Sequence, residues 1–235
     1  HSVRRRLRQL FEAGLLDRMA LPMEMPIPIG NPAGGGFVYG LSRRGLAQAK
    51  GLGFTDDRTR YNDEKKPTFL RHDVLLSEFH GCLDLAARDD HWTLAGWEQR
   101  RSELLDTANG RDGREPINPD ALFSIRRPGT PGDRNTAYCF LEMEASRQSR
   151  YQNGESGLVR RLKAYQLYAE QERHTRSWGF QDFRVVVVLP TPARVKNLLG
   201  KLETDLPFKR FWLTSREQYS FETPSTIAGK IFRTP

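Results

Sequence analysis

Three carboxylates in the middle of the chain have the types and spacing of a metal site. Glu142 and Glu144 lie two residues apart in the run YCFLEME, so strand alternation places both on one face, roughly 7 Å apart. Asp120 follows Pro119 at the start of another apolar run. If these two strands pair, Asp120 and Glu142 converge on one divalent cation. Hard oxygen ligands suit Mg²⁺ or Mn²⁺, so these ions are the predicted cofactors.

A fourth carboxylate, Glu78, lies in a helix predicted over 71–88. It is three residues from Leu75 and four from Cys82, so it lies on or beside the buried stripe of that helix. Burying an unpaired charge is costly, so Glu78 needs a partner. The alternative for the strand acids is a structural set of ion pairs on the sheet, for which the sequence offers Arg126, Arg127, Arg147 and Arg150.

The elements that must position these acids follow from periodicity. Strand-like runs cover 92–98, 117–125, 137–145 and 183–189, and a helix is predicted between the last two. The order is α, β, β, β, α, β. The predicted fold class is therefore α/β (α+β).

This order and these acids resemble the PD-(D/E)xK, or restriction-endonuclease-like, superfamily. The resemblance implies that Glu78, Asp120 and Glu142 hold metal. Glu144 stands where that family has a lysine, and Lys163 on the following helix is available to take over its role. The residues implied in catalysis are thus Asp120, Glu142, Glu144 and Lys163.

The amino-terminal part of the chain carries basic rather than acidic candidate residues. A helix beginning after Ser2 has Arg5, Arg8 and Gln9 opposite its apolar stripe, and Arg4 and Arg6 flank them. A strand, a loop rich in proline and glycine over 19–36, a second strand over 37–41 and a helix capped by Ser42 follow. This order resembles the back half of a winged helix-turn-helix, with its front helices missing. The residues predicted to bind DNA are Ser2, Arg4, Arg5, Arg6, Arg8, Gln9, Arg18, Arg43, Arg44, Arg160 and Arg161.

Composition limits the classes of protein that the chain can be. Its 235 residues carry a net charge of +8, which favours a polyanionic partner. No apolar run is long enough to span a membrane, and two cysteines fit a reducing compartment, so a cytoplasmic location is expected. The predicted domains are a partial winged helix over 1–54, a linker over 55–68 and a nuclease-like domain over 69–235.

A closer resemblance covers nearly the whole chain. The segments RHDVLLSEFHGCLDLAAR, NPDALFSI, FLEMEAS, RLKAYQLY and FRVVVVLPTPAR occur in that order behind the basic front. Together they are similar to the replication-relaxation family of plasmids and other mobile elements. This implies a DNA-binding accessory or regulatory protein of replication and mobilisation, with double-stranded DNA as partner. A relaxase or replication protein and a second copy of the chain are further expected partners.

Two alternatives to this accessory role stay open on sequence alone. The first is a Mg²⁺-dependent DNA endonuclease or nickase of the PD-(D/E)xK type. The second is a module that does not bind DNA and mediates protein assembly. Charge reversal at Arg5 and Arg8 should cripple DNA binding by an accessory protein or a nuclease and leave an assembly module unaffected.

Overall fold

The computed structural model describes the chain over eleven ranges. These are residues 3–20, 37–54, 61, 67–89, 92–99, 117–127, 135–144, 151–152, 155–206, 208–229 and 232–234. Ser2, most of the predicted loop over 19–36 and most of the predicted linker over 55–68 lie outside them.

The chain divides into two compact units, residues 1–74 and 75–235, called the first and second unit below. The first unit contains helix α1 (Val3–Glu12), strands β1 (Leu16–Ala20) and β2 (Phe37–Leu41), and helix α2 (Arg43–Gly51). The two strands form an antiparallel hairpin. The boundary between the units falls inside helix α3 (Pro67–Asp89).

The second unit is built on a mixed sheet. After α3 its elements are β3 (Thr93–Gln99), β4 (Ala121–Arg126), β5 (Thr136–Met143), β6 (Tyr151–Gln152), β7 (Glu155–Ser156), α4 (Gly157–Glu170), α5 (Arg173–Trp178), β8 (Arg184–Leu189), α6 (Pro192–Asp205) and β9 (Phe211–Ser215). Short 3₁₀ turns follow at Arg216–Gln218 and Pro224–Ala228.

The five long strands of this unit lie in the order β3-β4-β5-β8-β9. β3, β4 and β5 pair antiparallel, whereas β8 pairs parallel to β5 and β9 parallel to β8. The carboxyl ends of β5, β8 and β9 therefore meet at one end of the sheet, called the acid end below. The opposite end, where these strands begin, is called the amino end.

Both faces of the sheet are buried, each under its own helices. On the α4 face, Phe140 and Val187 pack with α4 and α6 residues such as Leu162 and Leu202. On the α3 face, Leu141 and Val186 pack with α3 residues. A sheet covered on both sides needs apolar residues at successive positions, which explains the run RVVVVL in β8.

The predicted α/β class is confirmed, with a mixed five-stranded sheet and a separate two-stranded hairpin. The winged-helix and nuclease-like assignments stay predictions. Helix α3 begins at Pro67, four residues before its predicted start, because proline is well suited to the first helical turn. β4 begins at Ala121, later than predicted, since Pro119 has no N–H to donate to a ladder.

Helices in the described part of the chain fall short of what a bilayer requires. Even α3, with 23 residues, contains no sufficiently apolar window, and the same holds for the other described helices.

Candidate functional site

The cationic side chains of the first unit lie on the outside of α1. Arg4, Arg5, Arg6 and Arg8 are all exposed, as is Gln9, and α1 has no buried residue. An ion pair within this helix joins Arg8 to Glu12 at 3.0 Å, with both side chains more than half exposed. Such an exposed pair contributes little to stability. Because the arginine side chains are exposed, the helix presents its positive charge to solvent.

A close backbone contact joins the start of the hairpin to α2. The Ser42 hydroxyl donates to the Gly14 carbonyl at 2.7 Å and accepts the Gly45 N–H at 2.9 Å, which caps α2. A Cβ on Gly45 would lie 1.9 Å from the Leu15 carbonyl oxygen. Only glycine allows this approach, so these residues fix how the hairpin meets the helix.

The remaining arginines predicted to bind DNA in this unit flank the hairpin and α2. The Arg18 guanidinium lies over the Phe11 ring at 4.7 Å and over the Phe37 ring at 4.3 Å. Arg43 and Arg44 are exposed at the start of α2, where Arg44 donates to the Ala13 carbonyl at 3.5 Å. The first unit thus displays seven arginines on α1, β1 and α2: Arg4, Arg5, Arg6, Arg8, Arg18, Arg43 and Arg44.

At the acid end of the second unit, Asp120 and Glu142 lie on or next to the paired strands β4 and β5, close enough for the Asp120 charge to act on Glu142. Asp120 precedes β4, and its carboxylate accepts the Met143 N–H at 2.7 Å. Glu142 is 2% exposed on the α4 face. Its two oxygens accept from the Arg161 Nε at 2.9 Å and from the Tyr165 hydroxyl at 2.8 Å. The paired strands therefore bring a buried carboxylate, Glu142, near a partly buried one, Asp120.

The environment of Glu142 changes its proton affinity. Burial is the largest cause that raises the pKa of this carboxyl, and the nearby Asp120 charge adds to it, while Arg161 and the Tyr165 hydrogen bond lower it; the net result is a pKa of about 7. Burial and the adjacent Glu142 also raise the pKa of Tyr165 well above its usual value. Tyr165 is fully buried, so its hydroxyl serves as a hydrogen-bond donor within the protein.

Glu144 comes just after β5 and has a separate partner. Arg194 near the start of α6 donates to both carboxylate oxygens, at 2.7 and 2.9 Å. Thr191 caps α6, which sets the position of Arg194 in its first turn. Lys163, the other residue implied in catalysis, lies on the exposed side of α4, and Arg160 on the same helix is partly buried.

Glu78 lies apart from the strand acids. Its Oε2 accepts two hydrogen bonds from Arg216, from Nε at 2.9 Å and from Nη2 at 2.7 Å, with both side chains at least 85% buried. Since α3 and α4 cover opposite faces of the sheet, Glu78 and Glu142 belong to different faces. The structure brings Asp120 and Glu142 together but does not bring Glu78 to them.

These contacts decide how well the acids fit a metal ion. Across the ranges that the structure describes, no three or more His, Cys, Asp or Glu side chains gather in a group that could hold one. The oxygens of Glu142 and Glu144 already face guanidinium or hydroxyl donors. The acids thus fit a set of internal ion pairs better than a metal cage, and the metal site stays a prediction.

Sequence patterns alone miss most of the partners of these acids. They assign Arg161 to DNA phosphates, and they do not single out Arg194 or Arg216. One signal is present: Glu142 alternates with the core residue Phe140, and Arg161 and Tyr165 are four residues apart on the helix that covers them. Of the four arginines proposed as partners, Arg126 and Arg127 are exposed, and Arg147 and Arg150 lie outside the described residues.

Comparison with protein families gives a match over most of the chain. A family model described as replication-relaxation matches residues 1–182, which include all of the first unit and the acids Glu78, Asp120, Glu142 and Glu144. No curated protein and no solved structure matches the chain.

Proposed function

Because the chain belongs to the replication-relaxation family, we propose that it is a DNA-binding accessory or regulatory protein of plasmid or mobile-element replication and mobilisation. In this proposal the first unit reads double-stranded DNA as a partial winged helix-turn-helix. The observation that carries it is the exposed cationic surface of α1, on which Arg4, Arg5, Arg6 and Arg8 face solvent.

The physical case for DNA rests on where the charge lies. Arginines on a solvent-facing helix can donate to phosphate oxygens and to base edges, and their binding releases counterions from the duplex. In this proposal the β1–β2 hairpin, which is joined to α2 through Ser42 and Gly45, serves as the wing that contacts the DNA backbone. Two-fold dimers are the usual way in which such motifs read DNA, so a homodimer is part of the proposal.

Charge reversal on α1 tests the proposal. We expect the double variant Arg5→Glu and Arg8→Glu to weaken duplex binding by more than about tenfold. The slope of log K against log salt should also fall by about 1 for each phosphate that the variant no longer neutralises. The measurement is fluorescence anisotropy with a labelled duplex over a range of salt concentrations.

A matched control carries the same change in charge elsewhere. Lys196 and Lys201 are exposed on α6 of the second unit, so Lys196→Glu with Lys201→Glu should lower the affinity less. Equal losses of affinity in the two double variants would mean that only net charge matters. Unchanged binding in the α1 variant would contradict the proposal and favour the protein-assembly module.

A second candidate function is metal-dependent cleavage of DNA, and the meeting of Asp120 with Glu142 favours it. Nicking of supercoiled plasmid in Mg²⁺ or Mn²⁺ that disappears in Asp120→Asn would support it. If protein that binds duplex DNA does not nick the plasmid under these conditions, cleavage is rejected and the accessory role is retained.

A further inference from the structure

A large cavity lies at the amino end of the sheet in the second unit, away from the acids. Its volume is about 1400 Å³, and its wall includes the end of β4, the start of β5 and the residues that lead into β8. Small-molecule sites in proteins are typically about 300–1000 Å³. The volume therefore fits an extended ligand better than a single small molecule.

Aromatic rings make up much of the wall. Tyr138, Trp178, Trp212 and Phe232 line the cavity and are each only partly buried. Tyr138 stacks on Phe180 at 4.5 Å, and Trp212 packs against Phe232 at 5.8 Å, which holds these rings in place. Partly exposed and preordered rings offer flat surfaces on which another planar group can stack.

The charged groups at the wall give the cavity an excess of positive charge. Arg127 is exposed at the rim, and Arg184 lies over the Trp212 ring at 5.6 Å. Asp182, an acid of the wall, pairs with Arg184 at 2.5 Å and with Arg210 at 2.7 Å. Among the lining residues that the structure describes, two guanidinium groups thus stand against one carboxylate, and Arg210 from outside the lining also pairs with that carboxylate. The wall therefore has a net positive charge, which complements phosphates.

We propose that this cavity binds a short segment of single-stranded DNA. Its unpaired bases stack on the aromatic rings, and its phosphates contact Arg127 and Arg184. Bases in a duplex are stacked on each other and have no free face for these rings, so the cavity favours unpaired strands. The cavity belongs to the second unit, and it adds another kind of nucleic-acid partner to the duplex proposed for α1 of the first.

Intrinsic fluorescence gives a direct test, since three of the four tryptophans line the cavity: Trp92, Trp178 and Trp212. We expect oligo(dT) of about 12 nucleotides to quench the tryptophan fluorescence of the full chain, and the quenching should saturate. Arg127→Glu should weaken this binding about tenfold, and Trp178→Leu should weaken it and reduce the quenching. Because Arg127 is exposed, its variant tests the proposal even where Trp178→Leu fails to fold.

Two comparisons separate this site from the proposed duplex site. The α1 variant with Arg5→Glu and Arg8→Glu should keep its binding to oligo(dT), and Arg127→Glu should keep duplex binding within about twofold. Lys196→Glu, on an exposed helix position outside the wall, is the matched charge control.

Three outcomes would overturn the inference. They are the absence of quenching by oligo(dT) up to about 100 μM, equal losses of affinity in Arg127→Glu and Lys196→Glu, and saturable quenching by an acidic peptide but not by DNA. None of them bears on duplex binding by α1, so the failure of this proposal is distinguishable from failure of the first.

Discussion

The two units of the chain use charge in opposite ways. In the second unit the acids Glu78, Glu142 and Glu144 are each held by an arginine from a different element, and two of them are almost completely buried. In the first unit the α1 arginines face solvent, and α1 buries no residue. Acids of the second unit are therefore neutralised inside the protein, whereas the α1 arginines of the first unit face solvent.

The largest expected effect breaks a buried pair of the second unit. Arg161→Ala leaves Glu142 as an uncompensated buried charge, so we expect a decrease of about 3–5 kcal/mol in the free energy of unfolding near pH 8. Urea denaturation measures it. Adding Glu142→Gln should restore part of the stability. Arg88→Ala, which removes an exposed pair with Asp84, should cost less than about 1 kcal/mol; equal costs would remove the contrast between buried and exposed pairs.

The next effect is a dependence on pH that belongs to Glu142. Its pKa is raised from 4.5 to about 7 in the folded protein, so its contribution to stability is full below pH 4.5 and is lost as the pH rises through 7. The change is on the order of 3 kcal/mol. Glu142→Gln should flatten the stability curve in this window. If wild type and variant keep parallel curves, the carboxyl titrates normally.

A smaller effect is expected from the close approach of backbone segments in the first unit. Gly45→Ala places a methyl group against the Leu15 carbonyl, which should destabilise this unit by about 1–3 kcal/mol and weaken duplex binding. Gly51→Ala in the same helix has open space around its Cβ and should be neutral or stabilising by up to about 1 kcal/mol. Thermal melting followed by circular dichroism would compare them, and similar melting curves would argue against a steric role for Gly45.

The smallest effect concerns the exposed pair on α1. Glu12→Gln removes the partner of Arg8, and we expect less than about 0.5 kcal/mol in stability because both groups are exposed. Duplex affinity should rise slightly, as one negative charge leaves the cationic face. Anisotropy titration at low salt measures the gain. A large decrease in stability would show that this pair supports the helix.

Local elements and the family are predictable from the sequence, because their signals lie in short segments. Periodicity predicts α1 and the helix that covers Glu142, Ser42 caps α2 as expected, and the family match over 1–182 confirms the resemblance. Alternation places Glu142 with the core residue Phe140, and its burial follows.

The partners of the acids are less predictable because they depend on strand order. Glu144 and Arg194 are 50 residues apart, and Glu78 and Arg216 are 138 apart. No local period encodes these distances. The pairs form because β8 and β9 add in parallel beside β5, which carries the residues after each strand to one end of the sheet.

The late position of β9 has a consequence for biosynthesis. The guanidinium that neutralises Glu78 belongs to Arg216, directly after β9, so a nascent chain on the ribosome has already placed α3 in solution long before its counterion is made. Contacts over such sequence separations form slowly. During translation the Glu78 carboxylate is therefore made 138 residues before its counterion, and this ion pair is among the last contacts of the second unit that the chain can complete.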